Sequence, residues 1–400
     1  MTQDELNFHS VKFTSRYTRI PQPRFGENDE NILLNQEFPL EFVLPSIDAN
    51  REKERHLVIL VNGFAEPSVA LYRHAQLGLA RLLADQGIAS VLVPIPLHLF
   101  RIPETSVYDR IAKIAQKRLD PNLTRESAVP YHVIKQSPER FYLGYRQLLS
   151  DLSHLARGIR LSDSSPRDYS VHNPVFREWF DESTRIHLLG YSLGGLGCLS
   201  AFLRNRTLEK EYGHDRLFET CTLLCSGPTF MDLVPQKLRF KSEDWDELRS
   251  YYYSRVFEVK RQEAEKKLES GQGHLAEAKQ AGEKSGLLAK VNSIKQINTV
   301  NSLAYIFFER IVLGVPWDSR DLHEASNHIL AVLGTSDLVV PPETLFGLRP
   351  RDRHFAVLHV PALEHVFIET QTWKQWGPFV VSSIVHFIQN HPKAVSPLQS

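Results

Sequence analysis

The run HLVILVNGF, His56 to Phe64, sets Leu-Val-Ile-Leu-Val together without a polar break, the pattern of a strand covered on both faces. From Ser68 to Gln86 the apolar residues Leu71, Ala75, Leu79, Leu82 and Leu83 recur at helical spacing. With Ser68 as N-cap and Gly87 just past the end, this predicts one helix. IASVLVPI, Ile88 to Ile95, then reads as a second buried strand. Upstream, Val11 to Ile20 and Phe38 to Leu44 alternate loosely about the turn-rich PQPRFGENDEN, which predicts an antiparallel pair. Pro138 to Gly158 carries Phe141, Tyr145, Leu148, Leu149, Leu152 and Leu155 on one stripe, with Pro138 suited to the first turn of a helix. Between these lies a long excursion, Leu97 to Ser137, to which the pattern assigns no element. RIHLLGYSLGGLGCLSAFL passes from strand to helix, TCTLLCSGP, HILAVLGTSD and HFAVLHVPALEH supply three more strands, and PFVVSSIVHFI from Pro378 to Ile388 reads as a core helix. Buried strands alternating with helices predict an α/β fold, a largely parallel sheet with helices on both faces.

Met231 to Ala325 breaks the rhythm. It contains EVKRQEAEKKLES, which is mostly charged, and GQGHLAEAKQAGEKSG, in which glycines interrupt Ala, Lys and Glu; such a segment buries little apolar surface and is expected to be exposed. The expected organisation is a core in two parts, 1–230 and 326–400, with 231–325 inserted. The insertion reads either as a solvated protrusion or as a cap whose Tyr251 to Tyr253, Phe307, Phe308 and Trp317 face a substrate or form its own core.

With 42% hydrophobic and 24% charged residues over 400, the chain has a globular composition, which excludes a disordered or collagen-like protein. Its 47 basic residues balance 47 acidic ones, so no broad field favours nucleic acid or an anionic membrane, and neither partner is expected. The apolar run near the C-terminus is too short to span a bilayer. MTQDELNFHS lacks the basic and apolar regions of a secretory signal, and a cytoplasmic location is expected. Cys198, Cys221 and Cys225 are spaced poorly for zinc and read as buried free thiols. No metal motif, phosphate loop or dinucleotide fingerprint is present, so no cofactor is expected.

Gly190-Tyr191-Ser192-Leu193-Gly194 follows the apolar strand IHLL and precedes the helix LGCLSAFL, the strand, sharp turn, helix context of a nucleophile elbow. The flanking glycines suit a turn that holds its serine in a strained conformation against neighbouring backbone. On these residues the sequence resembles the α/β-hydrolase superfamily, over about Phe38 to Asn390. The resemblance implies a mostly parallel eight-stranded sheet, a helical cap insertion, and a Ser, Asp, His triad in that chain order. A serine hydroxyl is a weak nucleophile that needs a base, and the base needs an acid to hold its tautomer. GTSDLVVPPE, which closes the strand HILAVL, looks like the superfamily's acid loop and implies Asp337 as the acid, with Asp232 as the rival position. ALEHV, after the strand HFAVLHV, implies His365 as the base, with Glu364 where many relatives have glycine. The oxyanion donors carried over are the N–H groups of Leu193 and Phe64; Asn62-Gly63-Phe64 departs from the commoner His-Gly-x at Asn62.

The expected activity is serine hydrolysis of a small-molecule carboxylic ester or thioester with an apolar acyl group, through an acyl-enzyme on Ser192. Amide hydrolysis uses the same parts, and acyl transfer differs only in the nucleophile that reaches the acyl-enzyme. Dehalogenation would need a carboxylate at the elbow. A non-catalytic binding or regulatory protein on the same fold is the alternative from a different class.

Overall fold

The computed structural model describes residues 7–15, 37–45, 55–63, 72, 77–96, 101, 105–118, 121, 138–160, 178–226, 325–340, 356–365 and 370–391. Among them eight strands form one sheet: β1 (Asn7–Thr14), β2 (Glu37–Leu44), β3 (His56–Val61), β4 (Ala89–Val93), β5 (Arg185–Tyr191), β6 (Thr220–Leu224), β7 (Ile329–Gly334) and β8 (Ala356–Val360). Their order is β1-β2-β4-β3-β5-β6-β7-β8. β1 pairs antiparallel with β2 and β2 antiparallel with β4; every later pairing is parallel. This is the mostly parallel eight-stranded α/β-hydrolase sheet that the resemblance implies.

Five described helices cover it: α1 (Leu79–Ala84), α2 (Thr105–Arg118), α3 (Pro138–Arg160), α4 (Leu193–Tyr212) and α5 (Gln371–Asn390). Successive side chains of β3 point to opposite faces, as a pleated strand requires. Leu57, Ile59 and Val61 pack into one core with Leu148, Leu152 and Leu155 of α3 and Leu196, Leu199 and Phe202 of α4. Val58 and Leu60 join the other, with Leu79 and Leu83 of α1 and Trp373, Val381 and Ile384 of α5. Both faces of the central strands are dry, which is why those strands read as continuous apolar runs.

The structure corrects three expectations. The helix expected over Ser68 to Gln86 is not continuous: Gly78 is extended, with φ −65° and ψ 144°, and only Leu79–Ala84 forms α1; Ser68 lies outside the described residues. The break falls where the Leu77 carbonyl accepts the indole N–H of Trp373 at 2.9 Å, a bond to α5 that helical continuation would oppose. The excursion after β4 contains α2. The C-terminal helix starts at Gln371 rather than Pro378, because Thr370 caps it, its hydroxyl accepting the Trp373 N–H at 3.1 Å. Of the insertion, Met231 to Ala325, all but Ala325 lies outside the described residues, as does Asp232. Among the described residues no helix is long and apolar enough to cross a membrane.

β4 and β5 flank β3 on opposite sides, so the strand order reverses there. In open α/β sheets the crevice at such a reversal, beyond the carboxyl ends of the strands, is where ligands bind. Val61 lies opposite Gly190, so Asn62-Gly63 and Tyr191-Ser192 leave the sheet side by side; Gly334 lies opposite Val360, so the loops bearing Asp337 and His365 do the same.

Candidate active site

Ser192 sits between β5 and α4 with φ 50° and ψ −121°, a conformation an L-residue adopts only when its surroundings impose it. They do so here. The Ser192 N–H donates to the Leu224 carbonyl at 2.9 Å, tying the elbow to β6, and Gly195 N–H returns to the Ser192 carbonyl at 3.0 Å. A Cβ on Gly190 would stand 2.3 Å from the Gly194 carbonyl oxygen, and one on Gly194 would stand 2.4 Å from the carbonyl oxygens of Val61 and Asn62. Neither position admits a side chain, so the GxSxG pattern follows from backbone packed on backbone.

His365 Nε2 lies 2.9 Å from Ser192 Oγ, and its Nδ1 lies 2.9 Å from Asp337 Oδ2. The other carboxylate oxygen, Asp337 Oδ1, accepts the N–H groups of Val339 at 2.9 Å and Val340 at 2.8 Å. With Asp337 fully buried and its Oδ1 occupied by two donors, Oδ2 is held toward the imidazole. The carboxylate requires a donor, so Nδ1 carries the proton and Nε2 is left to accept from the serine hydroxyl. The structure thus brings together Ser192, Asp337 and His365 from three loops that meet at the carboxyl edge of the sheet. Leu193 opens α4, where the first N–H groups have no acceptor within the helix. Phe64 lies outside the described residues, but Asn62 and Gly63 before it stand against the elbow.

Neighbours that the sequence did not single out support these side chains. Tyr191 donates its hydroxyl to the His365 carbonyl at 2.5 Å, and its ring lies 5.4 Å from the imidazole. The Tyr145 hydroxyl, on α3, donates to the Leu193 carbonyl at 3.1 Å. Cys225, a residue with φ 46°, is fully buried, and burial together with the Asp337 carboxylate pushes its thiol well above the usual thiol range. Of the three, the sequence placed Tyr191 inside the elbow, Tyr145 on the apolar stripe of a helix and Cys225 among buried thiols, and assigned none of them a part in the site. The left-handed residue in the His365 loop is Ala362, with φ 55°; Glu364 is exposed. Cys198, Cys221 and Cys225 are buried free thiols. Among the described residues no group of three or more His, Cys, Asp and Glu side chains is placed to hold a metal ion.

No protein-family model and no curated protein matches this sequence. Among solved structures it is similar to a peroxisomal alpha-beta-hydrolase from Saccharomyces cerevisiae, at 14% identity over 98% of this chain and 93% of that one, with a TM-score of 0.46. It is also similar to a thermostable esterase from Pseudomonas putida, at 11% identity over 99% and 86% of the two chains, TM-score 0.45. A third is Est1E from Butyrivibrio proteoclasticus, at 13% identity over 88% and 96%, TM-score 0.37. Likeness at this level decides nothing about this chain, whose fold stands on its own strand order.

Proposed function

We propose that this chain, an α/β-hydrolase fold by its sheet, is a serine hydrolase that cleaves a carboxylic ester or thioester through an acyl-enzyme on Ser192. The observation that supports this most is the unbroken run of hydrogen-bonding contacts from Ser192 Oγ through His365 to Asp337, at 2.9 Å and 2.9 Å. In this reading Ser192 Oγ attacks the acyl carbonyl carbon as its proton passes to His365 Nε2, and the imidazolium is stabilised by Asp337. The carbonyl oxygen becomes an oxyanion that the N–H groups of Leu193 and Phe64 receive, each contributing about 3 kcal/mol. Collapse expels the alcohol or thiol, which takes the proton from His365. Water, deprotonated by the same Nε2, attacks the acyl-enzyme and releases the carboxylic acid. The acyl group is read as apolar, on the exposed Leu338 beside Asp337. The segment 231–325, which leaves the chain after β6, is read as a cap.

A fluorophosphonate probe should label the wild-type protein at Ser192 and leave Ser192→Ala unlabelled. The same substitution should lower turnover of a small activated ester by roughly four to six orders of magnitude while the fold persists. Retention of substantial ester turnover by a folded Ser192→Ala protein overturns the assignment. Failure of the wild-type to label favours a binding protein on the same fold.

A further inference from the structure

Tyr191 precedes the nucleophile by one residue and is buried, packed into a core that also holds Val360, which ends β8, and Leu363, in the loop that bears His365. The hydrogen bonds of that loop run in two directions. Towards the acid loop, the Thr335 N–H donates to the Val360 carbonyl at 3.1 Å, the Ser336 N–H to the Leu363 carbonyl at 3.1 Å, and the Ala362 N–H to Thr335 Oγ1 at 2.9 Å. These bonds fix the loop relative to Asp337, but they do not join it to β5, which carries the nucleophile. Towards β5, the Tyr191 hydroxyl donates to the carbonyl of His365 itself at 2.5 Å. A tyrosine reaches its hydroxyl through two rotatable bonds and a rigid ring, so a bond at the far end fixes a separation. The near end is fixed too, since the Ser192 N–H is tied to the Leu224 carbonyl at 2.9 Å. The ring lies 5.4 Å from the imidazole and is tilted 32° to it, within the range at which aromatic rings attract. One side chain thus meets both the backbone and the ring of the same histidine.

We infer that Tyr191 is a positioning residue for His365: its hydroxyl holds the backbone of the base over the elbow, so that Nε2 faces Ser192 Oγ before substrate arrives. The inference rests on the reading of His365 as the base that serves Ser192. Misplacing a reacting group by about 1 Å costs on the order of 10²-fold in rate. In acylation Nε2 acts twice, taking the proton of Ser192 and then giving it to the departing alcohol. A displaced imidazole therefore penalises an ester with a poor leaving group more than one whose leaving group departs without a proton.

Tyr191→Phe removes the hydroxyl and keeps the ring beside the imidazole. On an alkyl ester kcat/KM should fall about 10²-fold, and on the nitrophenyl ester of the same acid only about tenfold. Both falls should lie in kcat, with KM and the affinity for the product carboxylate changed by no more than a few-fold. The widened gap between the two esters is the mark of a role exercised through His365, because a general loosening of the site lowers both alike and weakens product binding. A folded Tyr191→Phe protein with wild-type kcat/KM on the alkyl ester overturns the inference, as does an equal fall on both esters. Loss of the fold overturns it as well, since the hydroxyl would then be structural. Labelling of the wild-type by a fluorophosphonate is measured alongside. If the wild-type labels and Tyr191→Phe gives one of those results, Tyr191 alone is misassigned; if the wild-type does not label, the hydrolase reading fails and this inference with it.

Discussion

Asp337 meets two kinds of donor, and that makes its amide replacement decisive. In Asp337→Asn the side-chain oxygen is required by the Val339 and Val340 N–H groups, which leaves the NH₂ facing His365 Nδ1. The imidazole then has to accept at Nδ1 and carry its proton on Nε2, where it cannot take one from Ser192. Turnover of a small ester should fall about 10⁴-fold with the melting temperature little changed. Activity within tenfold of wild-type would show that the tautomer is not set by this contact. The meeting of Ser192, Asp337 and His365 was legible in the sequence because each follows an apolar strand and the chain order matched a known pattern. The contacts of Tyr145 with the Leu193 carbonyl and of Tyr191 with the His365 carbonyl were not, because they depend on a helix and loops far apart in sequence coming together over one edge of the sheet.

Gly377 on α5 illustrates a conflict between local preference and packing. In an open helix, Gly→Ala gains about 1 kcal/mol. Here a Cβ would stand 2.8 Å from Trp373 Cε2, one turn earlier on the same face. That ring has little room to yield, being fully buried with its indole N–H bonded to the Leu77 carbonyl at 2.9 Å. Overpacking of this kind costs typically about 1–3 kcal/mol, so Gly377→Ala should lower the melting temperature despite its propensity. A higher melting temperature would show that the ring shifts at no cost. The same contact explains why the helix expected from Ser68 was misjudged: Leu71, Ala75 and Leu79 keep a helical period, yet Leu77 is committed to α5 and Gly78 is extended. The strands were readable because burial on both faces writes an uninterrupted apolar run. Helix α2 was missed because its pattern is inverted, with Ala112 and Ala115 buried while the larger Ile114 is 39% exposed, and two small residues give a faint stripe.

At the opposite edge of the sheet from Ser192, histidines from four places in the chain meet among arginines. His56 Nδ1 lies 3.0 Å from His187 Nε2, His187 Nδ1 lies 2.9 Å from Thr220 Oγ1, and His391 Nε2 lies 2.5 Å from His328 Nδ1, which Arg206 Nη2 also approaches at 2.8 Å. Glu219, paired with Arg160 at 3.0 Å, favours protonation, but Arg55, Arg185, Arg206 and Arg216 oppose it. Burial, with Arg185 and Arg55, pushes His56 down to about 4; burial, with Arg206 and His391, pushes His328 down to about 3; burial, with Arg185 and Arg206, pushes His391 down to about 4. His187 is pushed well below its ordinary value, again chiefly by burial. Unfolded, each would titrate near 6.5 and bind a proton that the folded chain refuses. The stability they contribute is therefore complete above about pH 6.5 and is lost as pH falls toward 4 and then 3. Asp151 acts in the other direction. Burial, opposed by the paired Arg101 and by Ser15, raises its carboxyl to about 6 from an ordinary 3.8, so the folded chain holds the extra proton and gains stability as pH falls through that window. Four histidines outweigh one aspartate, although partial exposure makes His56, His328 and His391 count for less than their shifts alone imply. The urea midpoint should thus fall steadily from pH 6.5 to 4 at constant m-value, and His328→Gln should flatten the fall. A midpoint that is level or rising over that range would show that these histidines are already protonated in the folded protein.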